Sequence, residues 1–432
     1  MGQLKESILV RGGRPLLGSV KVQGSKNSAL PILAACVLAD GVSVIENCPD
    51  LLDTAAMLDI LEYIGCAVER SGHTVTVDST NIMRTDVPDR LMHRLRSSIV
   101  LLGALLARTG RASMSGPGGC ELGHRPIDLH LAGLNALGAR ARECGSLIKA
   151  DCGSRRGGEV VLSFPSVGAT ENLMLFGTCC REGVTIVNAA REPEICDLAE
   201  YMNSAGFSVR GAGSAVVHID AEKRPERFVR HRIISDRIAA VTWLCAVAVA
   251  GGEAELVGAE RGHFSCVADI LEASGCLIDN TEKGLSVRSC GRLSGGKGMI
   301  RTGPYPCFPT DAQPLVSTAM TTARGCTLIE ENMFENRYSH LGELSGMGAD
   351  IELNGRFAMI RGVDTLCGRT VRTHDLRGGA ALVTAGLCAL GETRILNIGY
   401  IDRGYECIDK TLESLGADIE RVTEESEDTE KR

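Results

Sequence analysis

Apolar positions along the chain recur in two alternating patterns. In the first, a helical stripe ends at a glycine and gives way to short runs of alternating apolar and polar residues. It appears in LEYIGCAVERSGHTVTVDS, LNALGARARECGSLIKAD, MNSAGFSVRGAGSAVVHID, LEASGCLIDNTEKGLSVRS, LSGMGADIELNGRFAMIRG and LESLGADIERVTEE. The stripe before Gly65, formed by Leu51, Ala55, Leu58 and Leu61, has the i, i+4, i+7, i+10 spacing of one helix face. Alternation in HTVTVDS predicts a strand after a Ser71-Gly72 turn. Each glycine suits the left-handed position just past a helix, which a residue with a Cβ enters at a cost. Gly65 and Gly275, Gly138 and Gly348, and Gly206 and Gly416 are each 210 residues apart. A three-unit domain has therefore been duplicated.

The second pattern is a run apolar on nearly every face: NSALPILAACVLAD, SSIVLLGALLART, ENLMLFGTCCRE, DRIAAVTWLCAVAVA, DAQPLVSTAMTTAR and RGGAALVTAGLCAL. A helix of that kind must be buried on all sides. Three such helices, ringed by strands and amphipathic helices, make each half an α/β barrel turned inside out. The starts of these helices carry residues unusual for the mouth of a core: Lys26 and Asn27, Arg96 to Ser98, Ser166 to Gly168, Asp236 and Arg237, Asp311, and Asp375 with Arg377. Helix N-termini present unbonded N–H groups and a positive dipole end, so with Lys and Arg they bind anions. Ser and Asp there also cap helices, an ordinary structural role. Two facing barrels would enclose a cationic cleft for a substrate bearing phosphate and carboxylate.

Composition narrows the classes. The chain has 432 residues, enough for two or three domains, and a net charge of −8, which argues against a nucleic-acid surface. Its longest apolar stretch, from Ile238, falls short of the ~20 residues of a membrane helix, and no leader pattern opens it, so a cytoplasmic protein without membrane insertion is expected. The eighteen cysteines contain no CxxC pair and read mostly as reduced thiols acting as small hydrophobes. One stands apart: Cys120, in GPGGCELGHRP, lies between a glycine-rich turn and an arginine. His124 and His130 nearby do not make a zinc site with it, because a third ligand at plausible spacing is missing.

The segments GSKNSALPILAA, RSSIVLLGALLAR, PGGCELGHRPIDLHLAGL, SVGATEN, NAAREPEICDLA, FPTDAQ, FENRYSHLGEL, HDLRGGAALV and IDRGYE, in this order from about residue 4 to 422, resemble the enolpyruvyl transferase family. The resemblance implies transfer of the enolpyruvyl group of phosphoenolpyruvate to the 3-hydroxyl of UDP-N-acetylglucosamine with release of phosphate, the first committed step of peptidoglycan synthesis. It implies no cofactor, no metal and no obligate protein partner. The implied fold is α/β, two inside-out α/β barrels of three repeated units with the active site in the interdomain cleft. Residues 26–233 would form the first barrel, 1–25 with 234–422 the second, and 423–432 an acidic disordered tail.

The reaction must protonate C3 of phosphoenolpyruvate while the sugar hydroxyl loses a proton and attacks C2. A cysteine near its reference pKa of ~8.5 is mostly a thiol at neutral pH and can donate, and its thiolate can add to C2. By resemblance Cys120 is that donor, fosfomycin would alkylate it, and Gly118 and Gly119 let its loop close. Asp311 matches the base. Lys26, Arg125 and Arg403 match the phosphate set, and Arg337 and Arg377 lie around the carboxylate, where guanidinium forks suit planar anions. Arg96, Arg125, Pro126, Ile127, Asp128, Leu129, Ser166, Val167, Gly168, Asp311 and Met333 match nucleotide-sugar positions, with Asn27 close to the sugar ring. Which group removes the C3 proton in the elimination is not assigned.

Ala239, Ser235, Leu52, Phe164 and Leu95 depart from the family pattern near the crossing between barrels or the nucleotide pocket. Two other readings are weighed. The branch of the family acting on shikimate 3-phosphate reads GSKS near the start and lacks the loop cysteine, whereas this chain has GSKN and Cys120. A non-catalytic paralog would bind the nucleotide sugar without turnover.

Overall fold

A computed structural model describes residues 4–116, 127–221, 225–296 and 298–425. Among them the chain forms two units: a central unit, from Gly24 to Ile234, and a split unit made of residues up to Gln23 and from Ser235 onward. Each has its own apolar core.

Three helices run through the centre of each unit. In the central unit they are Lys26–Ala35, Leu101–Thr109 and Val167–Gly177; in the split unit, Arg237–Ala250, Gln313–Met320 and Leu376–Cys388. All are buried along most of their length, as their all-round apolar composition requires, and in each unit they pack on one another. None of the described helices is long and apolar enough to cross a membrane.

Among the described residues, six four-stranded sheets share one plan: a parallel pair, then two further strands added antiparallel. In the central unit Phe228–Arg232 lies parallel to Val42–Glu46, followed by Thr74–Asp78 and Ala67–Ser71. Val75 and Val77 are buried there, which the alternation in HTVTVDS predicts, although the turn is at Gly72-His73, one residue later than expected. In the split unit Leu16–Lys21 pairs with Gly252–Val257 in the matching place. Each unit's first sheet is thus completed by a strand from the far side of a crossover, Phe228–Arg232 in one and Leu16–Lys21 in the other.

The sixth sheet differs in how it is assembled. Thr370–Arg372 pairs with Glu392–Leu396, but the last two strands are the two ends of the chain, Leu4–Arg11 and Asp418–Glu425, in register from Leu4 opposite Glu425 to Arg11 opposite Asp418. The sixth copy of the repeat therefore carries one strand after its glycine where two were expected. Thr423 to Glu425, expected to belong to the acidic tail, instead complete this strand; residues 426–432 lie outside the described residues.

All six repeat glycines have positive φ, from 88° at Gly206 to 113° at Gly275, as the capping argument requires. The stripe drawn before Gly65 needs one correction. Ala55 is exposed, and the buried face of Leu52–Ile64 runs through Ala56, Met57, Ile60, Leu61 and Ile64. Cysteines also divide more evenly than composition suggests. Cys36, Cys48, Cys66, Cys152, Cys179, Cys180, Cys245 and Cys276 are buried, whereas Cys290, Cys307, Cys326, Cys367 and Cys407 are exposed. Burial pushes the Cys36 and Cys276 thiols up to about 11, which keeps them protonated and inert.

Candidate functional site

In the central unit the candidate residues sit at helix starts. Ser25 caps Lys26–Ala35 by accepting a hydrogen bond from the Ser28 amide, which leaves Lys26 and Asn27 half-buried in the first turn. Lys26 is ion-paired at 3.1 Å with Asp53, a nearly buried carboxylate at the start of the next helix. The turn is held from behind by Asp197, which accepts from the Ser28 hydroxyl, from His231 Nε2 at 2.7 Å and from the Ile234 amide at 3.2 Å. Asp197 thereby joins the Lys26 turn to the strand leading out of the unit.

Ser166 accepts from the Ala169 amide and caps Val167–Gly177. A Cβ on Gly168 would lie 3.0 Å from the His130 ring, so glycine lets the imidazole lie against this helix start without being pushed back. Asn172 donates to His130 Nδ1 at 2.7 Å and to the Ile99 carbonyl, and accepts from the Gly103 amide. Because Nδ1 accepts, the proton of the neutral ring sits on Nε2. Burial pushes the His130 pKa down to about 4. One asparagine thus locks together the helix carrying Ser166 to Gly168, the helix Asp128–Ala136 that follows Ile127, and the turn Arg96–Val100. Ile127 is buried, Leu129 half-buried and Asp128 exposed. Cys120, Arg125 and Pro126 lie outside the described residues, with Gly118, Gly119 and His124, and so does the side chain of Arg96.

The split unit holds the remaining candidates. Asp311 accepts from Arg337 Nη2 on one oxygen and from Arg377 Nε at 3.3 Å on the other. Both guanidiniums are buried, 1% and 2% exposed, so neither charge is diluted by solvent. Arg337 also donates to the Thr310 carbonyl, and its Nη1 lies 3.7 Å from Asp375. Asp375 caps Leu376–Cys388 through the Arg377 and Gly378 amides and accepts from Ser339. Burial alone would weaken the charge on Arg377, but Tyr405, Asp311 and Asp236 more than offset it and hold its pKa above the ordinary value.

Met333 belongs to a turn built on Glu331, whose carboxylate accepts from the Met333 and Phe334 amides and from Thr302 and Thr310. Through Thr310 this turn abuts Asp311. Arg403 ends the helical turn Ile398–Arg403; the backbone just after it is clamped by Gln23, which donates to the Gly404 carbonyl at 3.0 Å and accepts from the Glu406 amide at 2.9 Å.

The structure therefore brings Asp311, Arg337 and Arg377 into contact, with Met333 adjacent, and in the other unit joins Ile127 to Leu129 with Ser166 to Gly168. Asp53, Asp197, Asn172, Glu331 and Tyr405 escaped sequence reasoning. Tyr405 lay within the quoted IDRGYE motif, Asn172 within SVGATEN and Asp197 within NAAREPEICDLA, but their roles depend on partners distant in sequence; Asp53 and Glu331 lay outside the quoted motifs. Ser166 and Asp236 do serve as caps. Of the departures, Leu52 and Phe164 are 54% and 42% exposed, next to Asp53 and two residues before Ser166 respectively, whereas Ala239 and Leu95 are buried.

Comparison with known proteins supplies the family. The family model described as EPSP synthase (3-phosphoshikimate 1-carboxyvinyltransferase) matches residues 10–412. UDP-N-acetylglucosamine 1-carboxyvinyltransferase 2 of Caldanaerobacter subterraneus subsp. tengcongensis is 46% identical over 423 residues, 98% of this chain and 100% of the relative. UDP-N-acetylglucosamine 1-carboxyvinyltransferase of Rhodospirillum centenum is 42% identical, covering 97% and 99%. Among solved structures, the enolpyruvyl transferase NikO from Streptomyces tendae matches with a TM-score of 0.87 at 24% identity, covering 98% of this chain and all of that one. EPSP synthase from Acinetobacter baumannii matches at 0.75 and 17%, covering 96% of this chain and all of that one. These structures bear on the fold alone.

Proposed function

The chain belongs to the enolpyruvyl transferase family, and from that membership we propose that it transfers the enolpyruvyl group of phosphoenolpyruvate to the 3-hydroxyl of UDP-N-acetylglucosamine, releasing phosphate. The observation that carries the choice of acceptor is identity above 40%, over nearly the whole of both chains, to relatives named for that substrate. The likeness to EPSP synthase, at 17%, is far weaker, and shikimate 3-phosphate is correspondingly disfavoured. The product commits the sugar to peptidoglycan synthesis.

In this reading Cys120 gives a proton to C3 of phosphoenolpyruvate as the sugar O3 forms its bond to C2. Asp311 takes the proton that O3 loses. The carbon–oxygen bond from C2 to phosphate then breaks as a proton leaves C3, regenerating the double bond. Asp311 suits its part because two buried guanidiniums face it, favouring the charged carboxylate that accepts a proton. Arg337 and Arg377 present fixed cations to the phosphoenolpyruvate carboxylate, where charge shifts during addition and elimination. Lys26, Arg125 and Arg403 take the phosphate; for Lys26 this means exchanging Asp53 for the ligand or sharing itself between them. Asn27, Arg96, Arg125 to Leu129, Ser166 to Gly168 and Met333 hold the nucleotide sugar.

Phosphate release from phosphoenolpyruvate, with and without UDP-N-acetylglucosamine and with Cys120→Ala as control, tests the reading. Release that requires both sugar and thiol is expected. Sugar binding with no release would favour a non-catalytic paralog instead. Fosfomycin should inactivate the protein with a mass increase on Cys120, and an inactivated sample with unmodified Cys120 would remove the thiol from its role.

A further inference from the structure

Tyr405 is 1% exposed and touches the cationic cluster in two ways. Its hydroxyl lies 3.2 Å from Arg377 Nη1, and its ring centroid is 5.5 Å from the Arg377 guanidinium carbon. Trp243 packs edge-on against the same ring at 6.1 Å and fixes its plane. The direction of every proton in this chain of bonds can be deduced. Thr242 donates its hydroxyl hydrogen to the Ile238 carbonyl at 2.8 Å, so toward Tyr405, at 2.8 Å, it must accept. Tyr405 therefore donates to Thr242 and turns its lone pairs to Arg377, which has only donors. Burial raises the Tyr405 pKa, so the phenol remains the neutral donor that this arrangement requires.

Arg377 is thus held at two corners, Nε by Asp311 and Nη1 by Tyr405, which fixes the plane of its guanidinium. We propose that Tyr405 is a positioning residue for phosphoenolpyruvate: its hydroxyl and ring aim Arg377 at the substrate carboxylate and keep it against Asp311. The proposal rests on the functional reading above, in which Arg377 meets that carboxylate. Tyr405 acts only through Arg377.

Tyr405→Phe keeps the ring, the Trp243 contact and the cation–π contact, and removes only the hydroxyl. It is expected to raise KM for phosphoenolpyruvate at least about tenfold, the low end for a hydrogen bond to a charged group, while KM for the nucleotide sugar stays within about twofold. The acid limb of the kcat/KM profile should move to higher pH, because a looser Arg377 supports the Asp311 carboxylate less. Thr242→Val, which removes the acceptor for the phenol, should move both readouts in the same direction. A variant with both KM values raised equally and an unmoved acid limb would show a merely structural role and overturn the proposal, as would unchanged kinetics. The unsubstituted chain is the control that separates the two layers: no turnover by it overturns the functional reading and this proposal together, whereas turnover with an unaltered Tyr405→Phe overturns this proposal alone.

Discussion

His130 and His340 are 210 residues apart and occupy corresponding places in the two units, each packed against a glycine at a helix start, Gly168 and Gly378. Burial lowers both pKa values to about 4. A histidine in the unfolded chain titrates near 6.5, so below that pH the unfolded state takes up protons that the folded state refuses until about pH 4. Each histidine therefore contributes stability that is complete above about pH 6.5 and is lost as pH falls toward 4, on the order of 3 kcal/mol by linkage. Glu171 acts in the opposite sense in the central unit. Burial, with Glu194 and Glu192 nearby, raises its pKa well above the ordinary value, so acidification relieves a cost there. Urea unfolding at pH 7.5, 6 and 5 should show a fall that His340→Gln flattens and Glu171→Gln steepens. If either variant leaves the slope unchanged, the corresponding group does not titrate as described.

At the scale of elements, the repeated glycines offer a controlled comparison. Gly65 and Gly275 have nearly the same φ, 112° and 113°, but a Cβ at Gly65 would lie 2.5 Å from the Asn81 carbonyl oxygen, whereas Gly275 has open space. Gly275→Ala should cost only the left-handed conformation, about 1–2 kcal/mol. Gly65→Ala should cost more, because a backbone oxygen must also move. Urea midpoints of the two variants check this, and equal shifts would mean that the Asn81 segment yields freely. These turns were legible in the sequence because glycine recurs at a fixed spacing and one cause explains six positions. The helix starts were legible too, since Lys26, Asp311 and Arg377 stand out against all-apolar helices. Ala55 misled because alanine suits either face of a helix. Asp197, Asp53 and Tyr405 stayed hidden because a charge or hydroxyl reveals its role only through partners, and Asp197 meets Ser28 across 169 residues of chain.

At the scale of the molecule, each unit has its own core, so damage to one need not reach the other. Deleting residues 418–432 strips Leu4–Arg11 of one neighbour along its whole length and exposes its edge. The shortened chain should lose protease resistance across the split unit while the central unit stays protected, as fragments mapped by mass spectrometry would show. Uniform digestion would mean that the two cores depend on each other.

The pairing of the chain's two ends also has a consequence for its synthesis. The ribosome makes Leu4–Arg11 long before Asp418–Glu425, an interval on the order of a minute at rates of ~5–20 residues per second. All residues of the central unit emerge meanwhile, so it can fold while the opening strand still waits. That strand reads LKESILVR, and Lys5, Glu6 and Arg11 bracket its apolar centre. Charges so placed discourage pairing with a neighbouring nascent chain. Two of these charges, Arg11 and Glu6, meet partners within the finished sheet, Arg11 with Glu392, Asp418 and Glu420 and Glu6 with Arg421. What protects the strand during translation becomes part of the seam that closes the fold.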